Sequence, residues 1–169
     1  MKLTELFQAQ LEAEAGRTRR TLERMPEGHD DWKPHDKSMP FGRLAMLVAR
    51  MPSWFPLIIN QDELDIRPTG GSNVDTRPLH TRKELLEAFD QGITQAQAAL
   101  AGTTDKHFLE PWQLLSSGQV VSEEPRYVAV RDTFTHLSHH RGQLTVYLRL
   151  NNVPVPAIYG PSADEARFD

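Results

Sequence analysis

The chain has 169 residues, no cysteine and a formal net charge of −4. Without cysteine it can form neither a disulfide nor a thiolate metal site, so any metal would have to be held by His, Asp or Glu. The acidic charge balance gives no electrostatic basis for binding nucleic acid. A chain of this length is expected to form one domain over residues 1–169.

The N-terminal stretch MKLTELFQAQLEAEAG carries charged residues in every turn, which is not the pattern of a signal peptide. No apolar run in the sequence is long enough to cross a bilayer. We therefore expect a cytoplasmic protein with no membrane partner.

The first half of the chain predicts two helices. Residues 3–25 place apolar side chains on one face, and residues 40–59 do the same more clearly. The second stripe follows the i, i+3, i+4, i+7 pattern of a helix that packs on a core, with Leu44, Leu47, Val48 and Met51. Pro52 and Pro56 fall late in this helix and should kink or split it.

A polar stretch, residues 60–80, holds two prolines and a Gly-Gly pair and is interpreted as a long surface connection.

A third helix is predicted from Thr81 to Gly102. Thr81 followed three residues later by Glu84 is a capping-box pattern, which indicates a helix start. Gly102 is typical of a helix end.

Residues 103–124 are ambiguous: Trp112, Leu114 and Leu115 could plug one end of the core, and Gly118 followed by Val120-Val121 could form a short hairpin or an extended arm. The last helix is predicted from about Pro125 to Asn151. Four long helices with connecting loops indicate an all-α four-helix bundle, with the long connection between helices 2 and 3.

The last helix carries the residues of chemical interest. With Asp132 set at zero, a turn of roughly 100° per residue puts His136 near 40°, His140 near 80° and Gln143 near 20°. These side chains share one stripe, which borders an apolar stripe formed by Leu137, Leu144 and Leu148. The histidines are therefore expected at the edge of the core.

Two imidazoles at i, i+4 can reach one metal ion, and neutral imidazole suits zinc or nickel. Asp132 or Gln143 could orient an imidazole through a hydrogen bond. His136 and His140 are thus candidate metal ligands. However, a catalytic zinc usually has three protein ligands, and the alternative is a pair of half-buried histidines that only hydrogen-bond.

Two stretches resemble the DinB (DNA-damage-inducible) family. The C-terminal segment THLSHHRGQLTVYLRLNNVPVPAIYGPSADE carries the more specific motif, HHRGQ followed by YLR. Residues 32–54 and 62–66 resemble the family's second-helix region. The resemblance implies a four-helix bundle that is often a homodimer and that binds a divalent metal through three histidines.

By this resemblance the last-helix ligands correspond to His136 and His140, and the second-helix ligand corresponds to Leu47. Leucine cannot coordinate a metal. The departure leaves three possibilities: the site is lost, it is weak, or another group supplies the third ligand. Four other histidines lie in or near loops, and no helical spacing places them beside the stripe as a third metal ligand. They are interpreted as surface residues: His29, His35, His80 and His107.

Two functions stay open. One is a divalent-metal-dependent enzyme related to the family's thiol transferases, with a degenerate site. The other is a non-catalytic dimeric bundle or a small-molecule binding module that has lost the metal.

The tryptophans could line a ligand pocket, but we favour core and loop anchors for Trp32, Trp54 and Trp112.

Overall fold

The computed structural model describes residues 2–71 and 75–166. The helices are α1 (Leu3–Leu22), α2 (Phe41–Arg50), α3 (Trp54–Asn60), α4 (Arg82–Gly102), α5 (Asp105–Phe108) and α6 (Arg126–Leu150). The strands are β1 (Glu63–Asp65), β2 (Pro111–Ser116) and β3 (Gln119–Pro125). None of the described helices is both long enough and apolar enough to span a membrane.

The predicted helices are present, and the predicted break in the second one is confirmed. A short 3₁₀ segment at Met51–Ser53 separates α2 from α3. Pro52 lies in this segment, where its missing N–H and its ring prevent the α-helical ladder from continuing. The capping box at the start of α4 is also present, since the Thr81 side chain accepts from the Glu84 N–H.

The prediction of an all-α fold is wrong. The described residues contain a three-stranded mixed sheet with the order β1-β2-β3. β1 is parallel to β2, with Leu64 opposite Leu114, and β2 is antiparallel to β3. β1 has three residues within a polar stretch, too few to show an alternating pattern. β1 is stabilised by pairing with β2, which is distant in the sequence. Such pairing cannot be predicted from a local sequence pattern.

The hairpin around Gly118 is observed, and Trp112 and Leu115 of its first strand are buried, with Trp112 in the core. β2 and β3 are joined by a two-residue turn in which Ser117 has φ 53° and Gly118 has φ 76°. Positive φ at both central residues is typical of the primed turns that match the twist of a hairpin. The Asp65 carboxylate of β1 accepts hydrogen bonds from the N–H groups of Ser117 and Gly118 at 3.0 and 2.7 Å, so it holds the turn against β1.

The helices and the sheet enclose two apolar clusters. One lies beneath the sheet and joins α1, α3 and the first half of α6, with Phe7, Phe55, Phe108 and Phe134 among its members. The other joins α2, α4 and the second half of α6, with Phe41, Phe89, Leu137 and Leu144 among its members. The helix α6 contributes to both, so its two halves face different surroundings.

Candidate functional site

Two buried arginines fix α6 at points on either side of its histidines. Arg126 is 1% exposed and donates to the Ile58 and Gln61 carbonyls at 2.8 and 2.9 Å. These carbonyls lie at the end of α3, where the helix leaves them without partners of its own. Arg141, also 1% exposed, donates to the Glu14 carboxylate of α1 at 2.5 Å. The segment between them is therefore held in place at both ends.

The side chains of His136 and His140 converge on each other. Their Nε2 atoms lie 2.9 Å apart and their ring centroids 4.7 Å apart. The i, i+4 spacing stacks the two rings along the helix. His136 is exposed and His140 is half-buried, whereas Leu137 and Leu144 are fully buried. The pair thus lies at the edge of the core and is open to solvent.

Gln143 determines how the pair shares its protons. The Nδ1–H of His140 donates to Oε1 of Gln143 at 2.7 Å. In the neutral form of His140 this donation leaves Nε2 as an acceptor, which can take the Nε2–H of His136 at 2.9 Å. Gln143 therefore forms a hydrogen bond with one imidazole of the pair.

Asp132 has a different partner. Its carboxylate accepts from Arg131 at 2.9 Å, and among residues 2–71 and 75–166 no hydrogen bond joins it to His136 or His140. Both residues of this ion pair are exposed. Asp132 shares the histidine stripe of α6 but contributes charge to the neighbouring surface instead of orienting a ring.

The surroundings of His136 favour its neutral form. Burial lowers the pKa of His136 below its usual value of 6.5, and the charges that His140 and His139 can carry lower it further. Trp54 of α3 packs beside the ring, with centroids 5.4 Å apart. A neutral imidazole can donate one hydrogen bond and accept another, or coordinate a metal.

The fit of a three-histidine metal site can be tested at Leu47. This side chain is half-buried and packs against the apolar cluster that α2 shares with α6. Within the described part of the chain, no group of three or more His, Asp or Glu side chains is placed to hold one ion. The two imidazoles could bind a common ion, because a separation of 2.9 Å is compatible with two bonds of about 2.0–2.1 Å. The full three-histidine set does not fit.

An apolar groove of about 370 Å³ ends at His136. Its lining residues come from α3, from the sheet strands and the residue after β1, and from α6. Its apolar wall consists of Trp54, Ile58, Leu64, Ile66, Trp112 and Leu114. From α6 it is lined by Ala129, Asp132, Thr133 and His136. Its volume falls in the range of small-molecule sites, about 300–1,000 Å³.

Polar groups in this groove are few and unevenly distributed. Glu124 and Asp132 are its charged lining residues, and no Lys or Arg is among the described residues that line it. Trp112 is 6% exposed, and its indole Nε1–H has no acceptor within the described structure. A buried donor without a partner costs about 1–3 kcal/mol, so an acceptor brought by a ligand would recover that cost.

A larger depression of about 630 Å³ lies elsewhere, beside Asn60, Gln95 and Gly102. The described residues that line it include no aromatic side chain and neither His136 nor His140. We therefore place the candidate site in the apolar groove, which we call the His136 groove.

The sequence indicated the histidine stripe but not the groove beside it. Trp112 is buried in the core, as expected of an anchor. Trp54 and Trp112 nevertheless both line the His136 groove. Their residue type was the available signal, but the sheet that brings them together could not be inferred. Trp32 does act as an anchor, with its ring 5.9 Å from Phe41 and 5.4 Å from Tyr147.

The other histidines lie away from this site. His29, His35 and His80 are exposed. His107 is half-buried on α5, where its ring contacts the Ile59 carbonyl and the Glu110 carboxylate at 2.8 Å each. It ties α5 to the end of α3 and contributes nothing to the His136 groove.

Comparison with known proteins connects this architecture to a family. The model of the DinB family matches residues 1–167. The fold is similar to that of a DinB-like protein from Bacillus cereus ATCC 10987, at 20% identity and a TM-score of 0.71, over 92% of this chain and 97% of that one. It is also similar to the DinB-like protein YjoA from Bacillus subtilis, at 16% identity and a TM-score of 0.70, over 96% and 99%.

Sequence similarity to a curated protein is confined to a short segment. The uncharacterised protein YrdA of Bacillus subtilis strain 168 is 53% identical over 34 residues, which is 20% of this chain and 20% of YrdA. The match to the family model over nearly the whole length is therefore the finding that decides the relationship. This chain belongs to the DinB family.

Proposed function

We propose that this chain is a small-molecule binding member of the DinB family and that the His136 groove is its binding site. The observation that carries the proposal is an apolar groove of about 370 Å³ whose lining includes two tryptophans and the imidazole of His136. Pockets of this kind are mostly apolar and hold a few polar groups that orient the ligand. Burial of a ligand against the two indole rings would supply most of the binding free energy.

The histidine pair would serve this function without a metal. The two Nε2 atoms satisfy one another in the absence of a ligand. A polar group of the ligand could replace one partner, because His136 can turn its Nε2–H toward an acceptor in the groove. Leucine at position 47 is compatible with this role. It stands where the family resemblance implies a metal ligand, but it does not line the groove.

Tryptophan replacement tests the site. We expect Trp54→Ala to weaken the binding of a neutral aromatic probe such as 2-naphthylmethanol by about tenfold or more, because buried aromatic contacts dominate such sites. Trp32→Ala is the matched control, since Trp32 is also half-buried but lies outside the groove. The measurement is isothermal titration calorimetry. Equal losses in both variants, or no binding by the wild-type chain, would contradict the proposal.

A second candidate function is favoured by the convergence of the two Nε2 atoms. In this alternative His136 and His140 bind a divalent ion such as zinc or nickel with only two protein ligands. The thiol-transferase activity implied by the family resemblance requires a bound metal and depends on this alternative. Asp132 contributes no hydrogen bond to the described pair, so only Gln143 would orient a ligand.

Added nickel tests this candidate. If the pair binds the ion, the Tm of the wild-type chain rises with nickel concentration, because a ligand that binds only the folded state stabilises it. The His140→Ala variant should show no such rise. A Tm that does not respond to nickel or zinc, together with less than one equivalent of metal after dialysis, would reject it.

A further inference from the structure

The charges and the unpaired donor of the His136 groove limit the ligands that it can accept. Resting on the proposed function, we infer that the groove selects apolar organic amines: molecules with an aromatic or aliphatic body, a protonated amino group and a hydrogen-bond acceptor on the body. Three observations support this: two carboxylates, two indole rings and, on one of those rings, a buried N–H without an acceptor in the described structure.

The carboxylates set the sign of the ligand's charge. Glu124 of β3 is half-buried and Asp132 of α6 is exposed, and both line the groove. Arg131 pairs with Asp132 at 2.8 Å, which leaves one net negative charge at this edge. Among the described residues that line the groove there is no Lys or Arg to offset that charge. An ammonium group is therefore attracted and a carboxylate is repelled.

The indole rings strengthen the same preference. Trp54 and Trp112 contribute their aromatic surfaces to the wall of the groove. Aromatic faces carry a negative quadrupole and attract organic cations, and tryptophan does so best. An amine with an apolar body can thus bury that body against the wall while its charged group stays near Glu124.

The indole N–H of Trp112 requires the acceptor. It is buried and has no partner in the described part of the chain, although Trp112 lines the groove. Thr133 is the hydroxyl-bearing residue among the described lining residues. It donates its Oγ1 hydrogen to the Ala129 carbonyl at 2.9 Å. An ether, hydroxyl or carbonyl oxygen on the ligand would accept a hydrogen bond from the Trp112 N–H and so satisfy this donor.

A series with one body and three head groups tests the charge preference. The probes are 2-naphthylmethylamine, 2-naphthylmethanol and 2-naphthoic acid, titrated into the full chain by calorimetry. We expect the amine to bind about tenfold more tightly than the acid at low salt, with the alcohol between them, since partly exposed charge pairs have modest energies. The advantage should shrink as salt is added.

Glu124→Gln should remove most of the difference between amine and acid while leaving the binding of the alcohol within about twofold. The matched control is Glu123→Gln, because Glu123 is the preceding residue on the same strand and does not line the groove. Equal or tighter binding of the acid, or an unchanged difference in Glu124→Gln, would overturn the amine preference and leave the proposed function standing. Failure of all three probes to bind would overturn both.

The acceptor is tested separately. Adding a 6-methoxy group to 2-naphthylmethylamine should improve binding to the wild-type chain about fivefold, the value of one neutral hydrogen bond. The improvement should vanish in Trp112→Phe, which keeps an aromatic ring and removes the N–H. A gain of the same size in Trp112→Phe would overturn the role of the indole donor. Circular dichroism and the Tm of each variant show that it is folded.

Discussion

Helix α6 carries two polar clusters whose surroundings differ. The first is the Arg141 cluster, in which Arg141 donates to Glu14, Thr18 and the Tyr159 hydroxyl. Arg141 and Glu14 are each 1% exposed. The second is the pair of His136 and His140, which is open to solvent and ends an apolar groove.

The difference separates polar groups that are bonded within the fold from polar groups that remain accessible to a ligand. Arg141 uses its hydrogen-bonding capacity on fixed partners from two other parts of the chain, α1 and the C-terminal segment, so it has little left to offer a ligand. The histidine pair is satisfied mainly by itself and by its neighbour Gln143. It can exchange these partners at low cost, which is what a binding site requires.

The strongest test of this comparison is Arg141→Ala. It would leave the Glu14 carboxylate buried without its main partner, and breaking a buried ion pair in this way costs about 3–5 kcal/mol of unfolding free energy. Urea denaturation measures the loss. The control is Arg149→Ala on the same helix, whose partner Asp164 lies at the surface, with an expected cost within about 1 kcal/mol. Similar losses in both variants would contradict the assignment of the Arg141 cluster as structural.

Leu47→His tests whether α2 can complete a metal site. A third imidazole beside the pair should raise zinc affinity at least tenfold over the wild-type chain, which corresponds to about 1.4 kcal/mol. The measurement is a zinc titration followed by competition with a chelator. Leu47→Gln controls for the loss of apolar packing. If zinc affinity is equal in the two variants, Leu47 does not face the imidazoles closely enough to serve as a ligand position.

His136→Ala should change the unfolding free energy by less than about 1 kcal/mol at neutral pH, because the ring is exposed and substitutions at such positions are mild. It should nevertheless reduce probe binding in the groove. Chemical denaturation and calorimetry measure the two effects. A large loss of stability with unchanged binding would reverse the roles assigned to the two clusters.

The pH dependence of stability gives the smallest expected effect. The pKa of His136 is lower in the folded chain than its usual value of 6.5. As pH falls from 8 to 5, the unfolded chain therefore binds a proton at this residue first, and the folded state loses stability. His136→Asn should remove this part of the decline, seen as a shallower slope of unfolding free energy against pH. A steeper slope in the variant would contradict the direction of the pKa shift.

The helices could be predicted from the sequence because the residues that start, stop and pattern each helix lie within that helix or next to it. The capping box at Thr81 marks the start of α4, and Pro52 marks the break between α2 and α3. The stripe that joins His136 and His140 follows from helical spacing alone. These features depend on residues within a few turns of one another, so one chain read in order is enough to find them.

The sheet and the His136 groove could not be predicted in the same way. β1 is three residues long and is stabilised by pairing with β2, far along the chain. The groove takes Trp54 from one element and Trp112 from another. A short strand has no pattern of its own, and the meeting of two distant aromatic residues is a tertiary property.

The hydrogen bonds from the hairpin turn to Asp65 have a consequence for how the site is assembled. They connect residues that are 52 positions apart, and contacts of such separation pay a large loop-closure entropy before they add stability. The helices can form earlier from local contacts. A folding intermediate that contains the helices but not the parallel strand pair would lack one wall of the groove, so ligand binding would appear only at the last stage of folding.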